Sequence, residues 1–250
     1  MSMIAPRSHE RIAHVHAALT ALQLRAWSHA MTLRLAIVSG DAEVSWKTAS
    51  GVLLELDATA AIATAWHVIQ DLRALREAGH EVHLICDSMP IETPRILFLD
   101  ETADIVLLEV PPAGRSGIRA VPYRPGPHWP PARVQVGDDV LLTGFPKLLR
   151  RDGDEILHGD FNLLTPVTSV GEDRYVLQIE WDRIIDAGRI NLPKGQADYA
   201  GVSGGPVFLS DAGCNELVGI ISQATPTLPL WRVAPLSRIP RPNHWTPEPV

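Results

Sequence analysis

Gly201-Val202-Ser203-Gly204-Gly205-Pro206-Val207-Phe208-Leu209 sets one serine among glycines and follows it at once with a proline and an apolar run. Two quite different folds place a serine this way. The pattern Gly-x-Ser-x-Gly marks the strand-to-helix elbow of α/β-hydrolases, but that elbow continues as a helix and its histidine comes later in the chain. Here Pro206 to Leu209 reads as a strand, and only His244 follows, in a proline-rich tail. Ser203 therefore sits in a glycine turn between β segments, where the missing side chains let backbone amides approach a carbonyl oxygen. Gly-Gly-Pro is also ordinary turn chemistry, so the turn acquires meaning only from partners elsewhere in the chain.

Outward from that turn, short apolar or alternating runs bounded by turn residues recur in two series. The nearer series is Val140 to Thr143, Phe161 to Val170, Tyr175 to Trp181, Pro206 to Leu209, Leu217 to Ser222 and Leu230 to Val233. The farther one is Leu33 to Val38, Gly51 to Leu56, Ala60 to Thr64, Glu81 to Ile85, Arg95 to Leu99 and Ile105 to Val110. Strands without regularly interposed helices predict an all-β fold of antiparallel barrels rather than a parallel sheet. One helix interrupts the first series, from Ala65 to Ala78, with Gly79 where a left-handed C-cap belongs. Between the series stand Pro111, Pro112, Pro122, Pro125, Pro127, Pro130 and Pro131, a density that regular strands do not tolerate. The expected organisation is a helical extension over 1–32, a first β-barrel over 33–112, a linker over 113–135, a second barrel over 136–239 and a loose tail over 240–250. The extension is read as helix over 8–30, from Ile12, Val15, Leu19, Leu22 and Ala26 at three- and four-residue steps, with Ser8 as N-cap.

Composition narrows the function class. With 250 residues, 46% of them hydrophobic, the chain holds a sizeable core. A formal charge of -7 with 22 Lys plus Arg argues against nucleic acid as a partner, and the densest basic cluster, Lys147, Arg150 and Arg151, reads as a solvated turn. Arg25, His29 and Arg34 interrupt the apolar N-terminal region, so no run spans a membrane, and the charged start does not read as a signal peptide. The two cysteines, Cys86 and Cys214, allow at most one bridge, which fits a reducing, cytoplasmic location. No metal or cofactor is expected. His9 and His14 are five steps apart, about 140° round a helix rather than on one face, and His80 and His83 fall on opposite faces of an extended strand.

A serine hydroxyl needs a base to take its proton, a carboxylate to orient that base, and donors for the oxyanion. His67 lies in Thr64-Ala65-Trp66-His67-Val68, where an apolar strand meets the helix, and Asp104 lies in Ala103-Asp104-Ile105-Val106, at the start of a strand. Gly201 and Ser203 are the candidate oxyanion donors. In the order His67, Asp104, Ser203, these motifs resemble the trypsin-like (chymotrypsin-fold) serine peptidases, over roughly residues 33 to 239. Ala49-Ser50-Gly51-Val52-Leu53, Val136-Gly137-Asp138-Asp139-Val140 through Gly144-Phe145-Pro146, and Gly219-Ile220-Ile221-Ser222 add to the likeness. The resemblance implies two six-stranded barrels with the site in the cleft between them. Ser203 is then the nucleophile, His67 the general base and acid, and Asp104 the group that fixes its tautomer. It further implies that Ser222 lies close to the aspartate, and that Ser222-Gln223-Ala224 pairs with the backbone of a protein or peptide substrate as an added strand.

Departures from the family pattern carry information. Val202 stands where secreted animal relatives have an aspartate that pairs with a newly cut N-terminus, and Val68 where they have a bridged cysteine. The chain is thus similar to the bacterial intracellular and Deg/HtrA-like branch, without the PDZ domain that usually follows there. The resemblance assigns the specificity pocket to Ala197, which favours small or aliphatic side chains, with Asp198 as the alternative floor that would favour basic ones. A different class of function shares the same residues: a catalytically silent fold used as a binding or scaffolding module, or a peptidase restrained until a regulatory partner orders its loops.

Overall fold

A computed structural model describes residues 31–39, 47–57, 59–87, 89–91, 94–151, 157–158, 161–179, 199–211, 214–225, 230–242, 245 and 248–249. The helix expected over 8–30 lies outside these residues. The first series of runs folds as β1 (Thr32–Ser39), β2 (Lys47–Leu56), β3 (Thr59–Ala65), helix α1 (Trp66–Glu77), β4 (Val82–Cys86), β5 (Met89–Ile91), β6 (Arg95–Asp100) and β7 (Ile105–Glu109). The second series gives β8 (Asp139–Gly144), the short β9 (Arg150–Arg151) and β10 (Leu157–His158), then β11 (Phe161–Val170) and β12 (Tyr175–Gln178). It continues as β13 (Pro206–Asp211), β14 (Cys214–Ala224), β15 (Leu230–Pro235) and finally β16 (Glu248–Pro249). Gly79 takes the expected left-handed φ of 88° just beyond α1. Among the described residues no helix is long and apolar enough to cross a membrane.

The fold is chymotrypsin-like and mostly β, with one of the two expected barrels left open. The second half closes as a six-stranded barrel in the order β11-β12-β15-β14-β13-β8, whereas the first is a curled sheet in the order β16-β6-β7-β3-β2-β1-β4-β5. Closure of the first sheet would need the free edge of β6 to meet β5. That edge is already occupied, because Glu248 and Pro249 of β16 pair with Ile96 and Arg95. β5 is also only three residues long and carries Pro90, which has no ladder donor. Two residues of the segment expected as a loose tail, Glu248 and Pro249, therefore pair in the sheet. The Trp245 side chain packs against the core beside it.

Side-chain alternation explains why both faces of β2, β3 and β7 are apolar. Leu53, Ile62, Val106 and Leu108 face inward with Trp66, Ile69 and Leu72 of α1. Val52, Leu54, Ala61, Ala63, Ile105 and Leu107 face the second barrel, where they meet Leu141, Phe208, Leu217 and Ile220. The small Ala61 and Ala63 let the two halves approach closely. The second barrel is filled by Leu142, Phe161, Leu163, Leu177, Val207, Ile221 and Trp231. The proline-rich connection lies on this seam. Tyr123 exchanges backbone bonds with Leu53 and Glu55 (2.7 and 2.9 Å), and its hydroxyl accepts from the Leu217 amide at 3.1 Å.

Candidate active site

Helix α1 begins without a side-chain cap of its own, since Ala65 precedes it. The exposed amides of a first turn need acceptors and favour negative charge. Asp104 supplies both from another strand: its carbonyl accepts from the Trp66 amide (3.2 Å) and its Oδ1 from the His67 amide (2.8 Å). Oδ2 lies 2.8 Å from His67 Nδ1. A carboxylate can only accept, so Nδ1 carries the hydrogen and leaves Nε2 as the acceptor of the neutral ring. Asp104 reaches this position by adopting φ 61°, a left-handed conformation that an aspartate tolerates better than most side chains. A second acidic group steadies the same turn. Asp100 Oδ1 accepts from the Ala103 amide at 3.0 Å. Arg238, beyond β15, binds Asp100 Oδ2 and also reaches Asp173 Oδ1 at 2.7 Å, tying the turn to the second half of the molecule.

Ser203 comes to the same place from the second barrel. Its carbonyl accepts from the Ser50 amide of β2 (2.8 Å), while the buried Ser50 hydroxyl donates to the Gly201 carbonyl (2.7 Å) and accepts from the Phe145 amide (2.9 Å). Gly204 holds φ 84°, and a Cβ there would stand 2.1 Å from the Ser50 carbonyl oxygen and 2.2 Å from Thr64 Oγ1. Only glycine lets the turn lie so close to β2 and β3. The amide directions follow from peptide planarity, because N–H and C=O of a trans peptide point opposite ways. The Ala200 carbonyl is turned toward the Lys147 amide (2.6 Å) and the Val202 carbonyl toward the Gly205 amide (2.8 Å). The Gly201 and Ser203 N–H groups are therefore aimed away from those contacts, and neither donates to another of the described residues.

Two cavities, of about 490 and 340 Å³, meet at His67, Ala200 and Ser203 and form one groove past the serine. Ser203 Oγ and the His67 ring share the rim, with no hydrogen bond between them among the described residues. Ser222 lines the larger cavity along with Asp104, and its hydroxyl donates to the Arg232 carbonyl at 3.2 Å. Gln223 and Ala224 pair with Arg232 and Trp231 of β15 on one side. On the other side the β13 ladder ends at Ile220, leaving 222–224 as a free edge along the cavity among the described residues. Ala197 and Asp198 lie outside the described residues. Next in the chain, Tyr199 packs tilted against Phe161 and edge-on against Trp231, with ring centroids 5.5 and 5.4 Å away, and burial pushes the pKa of its hydroxyl up to about 12. Among the described residues no group of three or more His, Cys, Asp or Glu is gathered as for a metal ion.

The sequence shows Ser50 without its bridging role and Lys147 only as part of a basic turn, and nothing in it singles out Asp100 or Arg238. Ser50-Gly51 beside an apolar run was the only local signal, and the bridges it makes are to residues 95 and 151 positions away. No signal pointed to Arg238, whose partners lie on β6 and on the turn before β12.

Comparison with known proteins bears on the fold and the family. No curated protein matches the chain. Among solved structures, the serine endoprotease from Yersinia pestis superposes with a TM-score of 0.52 at 15% identity, covering 93% of this chain and 64% of that one. The chain thus spans less than two thirds of that protein's length. The Rv3671c protease from M. tuberculosis in its active form gives a TM-score of 0.46 at 15% identity, covering 85% of this chain and 78% of that one. The model of the trypsin-like peptidase domain matches residues 49–220, from β2 through the helix of His67 and the turn of Asp104 to the strand beyond Ser203. With well over half of its length matched in this way, the chain belongs to the trypsin-like peptidase family.

Proposed function

We propose that the chain is a serine endopeptidase in which Ser203 attacks the scissile carbonyl and forms an acyl-enzyme. His67 Nε2 takes the hydroxyl proton and returns it to the leaving amine, while Asp104 holds the ring in the required tautomer and stabilises the imidazolium. The Gly201 and Ser203 amides receive the oxyanion. Water then attacks the acyl carbonyl with His67 as base, and Ser203 is regenerated. A peptide substrate lies as an added strand on the free edge at Ser222, Gln223 and Ala224.

The observation that carries this reading is the double contact of one carboxylate with His67, at Nδ1 and at the backbone amide, both 2.8 Å, beside the groove that Ser203 lines. The reaction predicts a stoichiometric burst of alcohol from an activated ester, followed by slower turnover, with the burst lost in Ser203→Ala. A serine that never acylates gives no burst in either protein and ends the proposal.

One observation favours a restrained form of the same site. Ser203 and His67 are not hydrogen-bonded, so substrate or a regulatory partner would complete the contact on binding, as catalytic hydrogen bonds commonly tighten only in the complex. A burst that grows when a peptide occupies the β14 edge supports that reading. A burst unaffected by such peptides removes it, and a binding module without turnover shows no burst with or without them.

A further inference from the structure

From Ser203 the larger cavity runs along the β14 edge past Ala224 and Thr225, and two arginines, Arg174 and Arg232, stand in its wall. Their placement follows from the barrel. Trp231 and Val233 point into the core, so Arg232 between them faces outward, opposite Gln223 on β14 and Val176 on β12. Arg174 directly precedes Tyr175, the inward-facing first residue of β12, and is itself exposed.

The carboxylates that line this cavity already bind other groups. His67 and Asp104 bind each other at 2.8 Å, and Asp173 is held by Arg238 at 2.7 Å. Arg232 gives one hydrogen bond, at 2.8 Å, to the uncharged Gln223 Oε1, and Arg174 has no ion pair among the described residues. A guanidinium keeps its charge at every physiological pH and presents a donor fork that matches a carboxylate. Two such groups without a carboxylate of their own therefore line a peptide groove in a chain whose formal charge is -7.

We propose that Arg174 and Arg232 form a subsite for a carboxylate side chain, so that the favoured substrates are acidic peptides. The position follows from strand geometry, in which each residue advances about 3.3 Å. A substrate residue opposite Ala224 or Thr225 lies two or three residues from the one opposite Ser222, on the flank of the scissile bond that follows β14. The inference rests on Ser203 as the nucleophile only for where the substrate begins, and its test is binding rather than turnover.

The experiment uses the full chain carrying Ser203→Ala and fluorescein-labelled peptides identical except for Glu, Gln or Lys at one position, scanned along both flanks. Glu two or three residues out on one flank tightens binding on the order of three- to thirtyfold over Gln, as expected for one or two exposed ion pairs, and Lys weakens it. The advantage shrinks as salt is raised toward 1 M. Arg174→Glu with Arg232→Glu reverses the order to Lys over Glu; Arg174→Gln alone, a change at an exposed side chain, lowers the Glu advantage without reversal. Equal binding of the three peptides, absence of binding, or a Glu advantage that survives the charge reversal overturns the subsite. Hydrolysis of the same peptides by the unmodified chain separates the two claims. Cleavage without acidic preference refutes the subsite and keeps the peptidase, whereas Glu-selective binding without cleavage keeps the subsite and refutes the peptidase.

Discussion

Replacing Gly204 by alanine tests how the nucleophile turn rests on the first sheet, and the chain supplies its own control. Gly79 has nearly the same backbone conformation, φ 88° against 84°, but nothing lies within 4 Å of a Cβ built there, whereas at Gly204 the Ser50 oxygen and Thr64 Oγ1 lie at 2.1 and 2.2 Å. Gly79→Ala therefore reports the left-handed strain alone, about 1 kcal/mol, partly offset by the lower entropy of the unfolded chain. Gly204→Ala adds a contact that only displacement relieves. If the turn retreats from β2, it strains the bond from the Ser50 amide to the Ser203 carbonyl and crowds the one from Thr64 Oγ1 to the Ser50 carbonyl, both 2.8 Å. At about 1 kcal/mol per bond, with strain and lost packing, the total comes to about 3–5 kcal/mol. For a chain of this size that lowers the Tm by about 6–20 °C, against about 1–4 °C for Gly79→Ala. Thermal unfolding followed by circular dichroism measures both, and ester hydrolysis near 20 °C shows whether the displaced serine loses the on the order of 100-fold expected from a shift of about 1 Å. Equal Tm losses in the two variants, or full activity in Gly204→Ala, would refute the close approach of turn and sheet.

Three further outcomes follow from the site. Asp104→Asn lowers kcat by about 10⁴ because the imidazole loses its tautomer-fixing acceptor, and it lowers Tm by about 1–4 °C because the N-terminus of α1 loses a carboxylate; peptide hydrolysis and melting curves check both. Arg238→Met releases the Asp100 turn from Asp173, so kcat falls while KM holds, the downfield signal of the His67 Nδ1 proton broadens, and Arg238→Lys restores part of each effect. Unchanged kcat and proton signal in Arg238→Met would deny that this bridge orients Asp104. The Tyr199 hydroxyl, raised by burial from 10.0 to about 12, favours the protonated form in the folded state. Its contribution is complete below about pH 10 and is lost as pH rises toward 12, where the unfolded chain has already released the proton. Urea midpoints at pH 9 and pH 11.5 fall further for the unmodified chain than for Tyr199→Phe, whose residual fall reflects Tyr123 and Tyr175, also raised by burial.

Local patterns made most strands legible. The apolar runs around Leu53, Ile62 and Leu107 are legible as strands, and Gly79 marks the end of α1 because a left-handed cap is a one-residue signal. Pairings between distant segments leave no such trace. Glu248 and Pro249 on β6 read as tail because a two-residue strand has no period, and in the fold they occupy the β6 edge that a closed barrel would use. The connection expected from its prolines proved to be pinned to β2 through Tyr123, the non-proline residue whose amide and carbonyl can both bond there. His67, Asp104 and Ser203 were legible as motifs in order, whereas the contacts that place them were not. The sequence shows Asp104 at a strand start, but its service to the amides of Trp66 and His67 depends on a register between β3 and β7. Arg174 and Arg232 look like solvated strand residues until the barrel turns both toward one cavity.

The central claim is that Ser203 is a nucleophile activated through His67 and Asp104. Labelling of the full chain with a fluorophosphonate, followed by mapping of the modified residue by mass spectrometry, addresses it without any assumption about substrate. One phosphonyl group per chain is expected, on Ser203, with labelling abolished in Ser203→Ala and slowed by several orders of magnitude in His67→Ala. Labelling at another residue, or none in a folded protein whose β14 edge is occupied by peptide, contradicts it.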